Sequence, residues 1–129
     1  KDSPAGLCGW IVEKFRKWSD CGGDVESVYT KDELLTNVMV YWVTGTINSS
    51  IRLYFEVMHG GTAIPTEKFE VPTGCAIVPR EIYKAPLEWA KASYNVTHYE
   101  VYEEGGHFAA MEQPEVLAKD LRTFFATVR

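Results

Sequence analysis

Leu7, Ile11, Phe15 and Trp18 recur at spacings of four, four and three residues, the apolar stripe of an amphipathic helix. Asp2 or Ser3 can cap that helix, and Pro4 suits its first position, where a missing amide donor costs nothing. Cys21-Gly22-Gly23-Asp24 ends the pattern, and Asp24 reads as a turn residue. Thr30-Lys31-Asp32-Glu33 has the form of a capping box. It opens a second helix predicted to reach about residue 43, with Leu34, Leu35, Val38, Met39 and Trp42 as its buried face. Gly45 marks a break, and a third helix is expected over about residues 47–58.

The second half changes character. Residues 59–65 read as a loop, and residues 69–77 as a buried strand interrupted by turn chemistry at Pro72-Thr73-Gly74. A short helix is expected over 86–94, then a clearer strand over 96–103, rich in Val, Thr and Tyr. Val116, Leu117, Leu121, Phe124, Phe125 and Val128 mark a closing amphipathic helix. Strand, helix, strand, helix in that order predicts α/β architecture with parallel strands. Two strands alone leave an open edge, and parallel sheets are normally covered on both faces. The expectation is that these strands complete a sheet begun upstream, and that the chain does not fold alone.

At 129 residues the chain has room for one small domain, and its 46% apolar and 24% charged residues place it among globular proteins. A net charge of −5 argues against a nucleic-acid or anionic-membrane surface. No apolar run approaches the ~20 residues that span a bilayer, and the start carries no signal-peptide pattern. Cys8, Cys21 and Cys75 are an odd set without CxxC spacing, so neither a disulfide framework nor a metal site is indicated, and a cytoplasmic setting is expected. Asn48-Ser49-Ser50 and Asn95-Val96-Thr97 match the glycosylation sequon, a pattern common by chance. The chain opens at Lys1-Asp2-Ser3-Pro4 without an initiating methionine, which reads as the later piece of something longer.

The candidate chemistry centres on Glu104-Gly105-Gly106-His107-Phe108-Ala109-Ala110-Met111-Glu112-Gln113-Pro114. Two glycines permit a tight bend between a strand and a helix that opens at proline, aiming His107 at a cleft. An imidazole titrating near neutrality can take a proton from water. A lone histidine after a strand is more often a surface residue, and the bend is what raises its standing. Glu81, in Val78-Pro79-Arg80-Glu81, ends the preceding strand as His107 ends the next, so parallel neighbours can bring the two together. A carboxylate on the far ring nitrogen fixes the tautomer and stabilises the imidazolium, and acid before histidine is the α/β-hydrolase order. Tyr54, on the third helix, is either an aromatic covering the core or a phenol able to protonate an alkoxide.

Together these blocks resemble the C-terminal half of microsomal-type epoxide hydrolases of the α/β-hydrolase superfamily. The matching blocks are Asp2-Ser3-Pro4-Ala5-Gly6-Leu7, Leu35-Thr36-Asn37-Val38-Met39-Val40-Tyr41-Trp42, Thr44-Gly45-Thr46-Ile47, Ser49-Ser50, Val71-Pro72-Thr73-Gly74 and Gly105-Gly106-His107-Phe108-Ala109-Ala110. The resemblance implies the last parallel strands and helices of that fold plus helices of its cap, with cap segments in residues 1–60 and the core in 61–129. It implies a cofactor-independent reaction in which an aspartate opens an epoxide to an ester that water then hydrolyses to a diol. His107 would be the base, Glu81 its carboxylate partner and Tyr54 one of two ring-opening tyrosines. The aspartate and second tyrosine match nothing here and are expected on an upstream segment, the chain's implied partner. A haloalkane dehalogenase, an esterase or an inactive hydrolase-fold binding protein are the alternatives. Membrane anchoring through an upstream segment and homo-oligomerisation stay open.

Overall fold

The computed structural model describes residues 2–60 and 67–128, which fall into two compact units. The first comprises Lys1–Lys17 and Cys21–Ile64, the second Trp18–Asp20 and Pro65–Arg129.

The first unit is helical. Helix α1 (Pro4–Trp18) starts where Ser3 Oγ accepts the Gly6 N–H at 3.0 Å, and it buries Leu7, Ile11 and Phe15 as their spacing predicts. Phe15 meets Tyr29 edge to face, with centroids 5.1 Å apart. Tyr29 is 2% exposed, the most enclosed large side chain among the described residues. Gly22 and Gly23 take positive φ after the helix, and Asp24 caps a 3-10 turn, Val25–Ser27, through its bond from the Glu26 N–H. Helix α2 (Lys31–Thr44) carries the predicted capping box in full: Glu33 N–H donates to Thr30 Oγ1 and Thr30 N–H to Glu33 Oε2. Those bonds to Thr30 hold the Glu33 carboxyl below its ordinary pKa. Gly45 ends α2 in the left-handed conformation, at φ 65°.

Two expectations for this unit are corrected. Leu34 and Val38 are buried on α2 and Trp42 is half-buried, but Leu35 and Met39 are exposed. Helix α3 runs from Ile47 to Gly60, so it absorbs His59 and Gly60 from the expected loop; residues 61–65 of that loop lie outside the described residues. No residue of α3 is buried, although Ile51, Leu53, Phe55 and Met58 are apolar.

The second unit is α/β. Strands β1 (Phe69–Ile77) and β2 (Tyr94–Val101) pair in parallel, joined through the short helix α4 (Leu87–Ser93). The expected interruption at Pro72-Thr73-Gly74 is instead a pair of register shifts inside a continuous strand. Pro72 has no N–H to give the ladder, and Asn95 Nδ2 donates to Glu70 O at 2.9 Å beside it. Helix α5 (Ala109–Glu112) is a single turn and α6 (Pro114–Thr127) closes the chain. The Phe124 ring of α6 lies over Gly74, where an added Cβ would sit 3.0 Å from it. Any larger residue at 74 would have to push that ring back by a few tenths of an ångström.

Burial of β1 is also corrected: no residue of that strand is fully buried, and Phe69 and Val71 are exposed. On α6, Leu117 and Phe124 are half-buried while Val116, Leu121 and Phe125 are exposed, as is Val128 just past its end. One face of the two-stranded sheet is covered by α6, and apolar surface is left where a parallel sheet ordinarily has neighbours. No helix among the described residues is long and apolar enough to cross a membrane.

Candidate active site

The parallel register puts the ends of β1 and β2 level, Ile77 opposite Val101. Pairing continues past the strands: Tyr102 N–H donates to Ile77 O at 2.8 Å and Arg80 N–H to Gly105 O at 3.0 Å. Two loops thus leave the same end of the sheet side by side, one carrying Glu81 and the other His107. His107 Nδ1 lies 2.7 Å from Glu81 Oε1. The same oxygen accepts the Ile82 N–H at 2.7 Å, which orients the carboxylate. An ionised carboxylate only accepts, so beside it the neutral imidazole carries its proton on Nδ1 and its lone pair on Nε2. Among the described residues Nε2 has no hydrogen-bond partner. The ring is flanked edge-on by Trp18 and Phe108, at 5.3 and 5.2 Å between centroids. A half-exposed imidazole with one nitrogen steered by a carboxylate and the other open to a reactant can take a proton from water.

The bend carrying His107 has the shape its glycines promised. Gly105 adopts φ 108°, and a Cβ on Gly106 would fall 2.5 Å from Trp18 O, so alanine at 106 cannot be accommodated without moving backbone. Tyr54 belongs to the other unit, on α3, where its side chain is 58% exposed. It does not serve as a buried core aromatic among the described residues.

A second histidine–carboxylate pair was not singled out by the sequence. His98 on β2 lies 2.6 Å from Asp120 Oδ1, and the Tyr102 hydroxyl donates to Asp120 Oδ2 at 2.9 Å. His98, Glu100 and Asp120 stand close enough to share a cation, their ligand atoms within 4.8 Å of one another. Both Asp120 oxygens and His98 Nε2 are already engaged with each other and with Tyr102, so the cluster is closed by its own bonds. Glu112 and Asp20 were missed as well: they brace the His107 loop across 92 residues, a separation that local pattern does not reveal.

A carboxylate and a histidine at the C-terminal ends of adjacent parallel strands mark this unit as part of an α/β-hydrolase fold. No family model matches the chain. Individual relatives do. Epoxide hydrolase 1 of Sus scrofa is 43% identical over 133 aligned positions, which take in 95% of this chain and 29% of that protein. Juvenile hormone epoxide hydrolase 2 of Ctenocephalides felis is 40% identical over 94% of this chain and 28% of its own length. Among solved structures, juvenile hormone epoxide hydrolase of Bombyx mori superposes with a TM-score of 0.88 at 35% identity, covering 98% of this chain and 32% of that one. Over nearly its whole length the chain is similar to epoxide hydrolases, and it spans under a third of the length of the curated relatives it matches.

Proposed function

We propose that this chain supplies the water-activating part of an epoxide hydrolase, with the nucleophile on a segment upstream of it. An upstream aspartate attacks one epoxide carbon; its C–O bond breaks as an ester forms, and the ring oxygen leaves as an alkoxide. Tyr54, with a second tyrosine on the upstream segment, gives that oxygen a proton. His107 Nε2 then takes a proton from water as the water oxygen bonds to the ester carbonyl. Collapse of the tetrahedral adduct breaks the acyl–oxygen bond, the imidazolium returns its proton to the departing diol, and the aspartic acid so released gives up its own proton as the tyrosinate left by the first step regains one. Glu81 stabilises the imidazolium in between. Strain in the three-membered ring favours the first step, whereas the second needs a base, which is why the histidine is indispensable there.

The observation that carries this reading is the 2.7 Å bond between His107 Nδ1 and Glu81 Oε1 at adjacent strand ends, with Nε2 left unengaged. The kinship with epoxide hydrolases supports the substrate class. The open apolar faces of α3 and the sheet support the need for an upstream partner. Three unpaired cysteines suit a cytoplasmic location, whether or not an anchor lies outside this chain.

Single turnover of the full-length protein with styrene oxide tests it. The native enzyme is expected to release diol, and His107→Ala to stall as an ester on an upstream peptide, visible by mass spectrometry. Absence of both diol and adduct from the folded full-length protein would overturn the reading in favour of another hydrolase activity or a binding role.

A further inference from the structure

The loop that carries His107 is held by backbone donors, and one side chain collects two of them. Glu112, on α5, accepts the Phe108 N–H on Oε1 at 3.0 Å and the Asp20 N–H on Oε2 at 2.8 Å. Asp20 in turn accepts the Gly105 N–H on Oδ2 at 3.1 Å. His107 donates its own N–H to Trp18 O at 2.9 Å. The segment Trp18–Asp20 and the segment Gly105–Phe108 are therefore joined by two direct hydrogen bonds and by one bridge through the two oxygens of Glu112. Between them the backbones touch at Gly106, where a Cβ would lie 2.8 Å from Asp20 N as well. Among the described residues no lysine, arginine or histidine pairs with Glu112, and its recorded partners are these two N–H groups.

We propose that Glu112 is a positioning residue for His107, setting the imidazole against Glu81 by holding the Phe108 backbone, next to His107, to the Asp20 backbone, whose side chain takes the Gly105 N–H on the other side of the bend. The catalytic consequence rests on the epoxide hydrolase reading above; the geometric one does not. Two donors converge on two oxygens, so both positions require acceptors. A glutamine has one acceptor and an NH2 group, and its NH2 would face one of the two backbone N–H groups. The loop must then shift at Phe108 or at Asp20, and with it the ring that hangs between them.

The test is Glu112→Gln in the full-length protein, with ester formation and ester hydrolysis from styrene oxide timed separately. Hydrolysis is expected to slow on the order of 100-fold, the size of effect that about 1 Å of misplacement produces, while ester formation holds its rate and ester accumulates. The 15N signals of the His107 ring are expected to move, reporting a weakened Nδ1–H bond to Glu81. Equal slowing of both steps, or unchanged hydrolysis with unmoved ring signals, overturns the proposal. Should Glu112→Gln fail to fold, Asp20→Ala and Asp20→Asn decide. Asn retains an oxygen for the Gly105 N–H and is expected to recover most of the hydrolysis rate that Ala loses; equal rates in the two variants overturn the proposal. If the native protein forms neither ester nor diol, the epoxide reading fails by itself. The ring signals then decide the positioning role: displaced in Glu112→Gln they uphold it, undisturbed they overturn it.

Discussion

His107 and His98 lie in the same unit, and each is bonded to a carboxylate at nearly the same distance, 2.7 Å to Glu81 and 2.6 Å to Asp120. Their surroundings differ. The side chains of His98 and Asp120 are 18% and 11% exposed, those of His107 and Glu81 38% and 30%. Asp120 spends its second oxygen on the Tyr102 hydroxyl, so the cluster ties β2 and the loop after it to α6. Glu81 and His107 instead tie two loops at the end of the sheet, and the ring nitrogen left over faces no protein partner among the described residues. A histidine–carboxylate bond is therefore no mark of chemistry in itself. What separates the two pairs is place and exposure: His98 is set within a strand against α6, whereas His107 stands on a loop at the end of a parallel sheet, where loops leave room for a reactant.

The sharpest way to break this comparison is to remove each imidazole in the full-length protein. His107→Ala is expected to slow ester hydrolysis by roughly 10²–10⁴-fold, the usual worth of a general base. His98→Ala is expected to lower thermal stability without stalling that step, and an equal stall in both variants would erase the distinction. Glu81→Gln comes next. Removing a charge beside the imidazolium costs between about 1 and 4 kcal/mol at this degree of exposure, hence roughly 5-fold to 10³-fold in hydrolysis rate. Ester formation, measured in the same burst experiment, should be unaffected.

Asp120→Ala probes the other side. It leaves His98 and the Tyr102 hydroxyl without their shared acceptor, and about 1–3 kcal/mol of stability should be lost in urea unfolding. The smallest effect is expected from Tyr102→Phe, about 1 kcal/mol near neutral pH. Its value lies in the pH dependence. Burial, then the bond to Asp120, raises the Tyr102 phenol well above its ordinary pKa. The unfolded phenol ionises near pH 10, so this stabilisation is complete below about pH 10 and is lost as pH rises beyond it. Urea midpoints at about pH 8 and about pH 11 should fall further in the native protein than in Tyr102→Phe. Parallel falls would mean that Tyr102 is not the group responsible.

Local signals were legible wherever neighbours in sequence are neighbours in space. Thr30 and Glu33 sit one helical turn apart, and their capping box formed as spelled out in the chain. Leu7, Ile11 and Phe15 face inward because a 3.6-residue period aligns them. Gly45 stopped α2 at the position where a left-handed residue is needed. Burial was less legible. Leu35, Met39, Val116, Leu121 and Phe125 have the apolar character of core residues and are exposed, because apolar type says only that a face can be covered, not what covers it. Pro72 and Gly74 read as a turn, yet the strand continued, since a partner strand can take up a bulge that isolated residues cannot announce.

By itself the sequence determined the helices, the two strands, the glycine bend and the pair of residues whose order hinted at a histidine with a carboxylate partner. These depend on propensity, capping and backbone freedom, all properties of a few adjacent residues. Only the tertiary structure decided that β1 and β2 pair level, so that Glu81 meets His107. It alone brought Asp20 and Glu112 together beneath the bend, and distinguished His98, closed in by Asp120 and Tyr102, from His107. The reason is physical. Register and long-range hydrogen bonds are chosen by the simultaneous satisfaction of backbone donors from distant segments, and no local pattern in the chain encodes that choice.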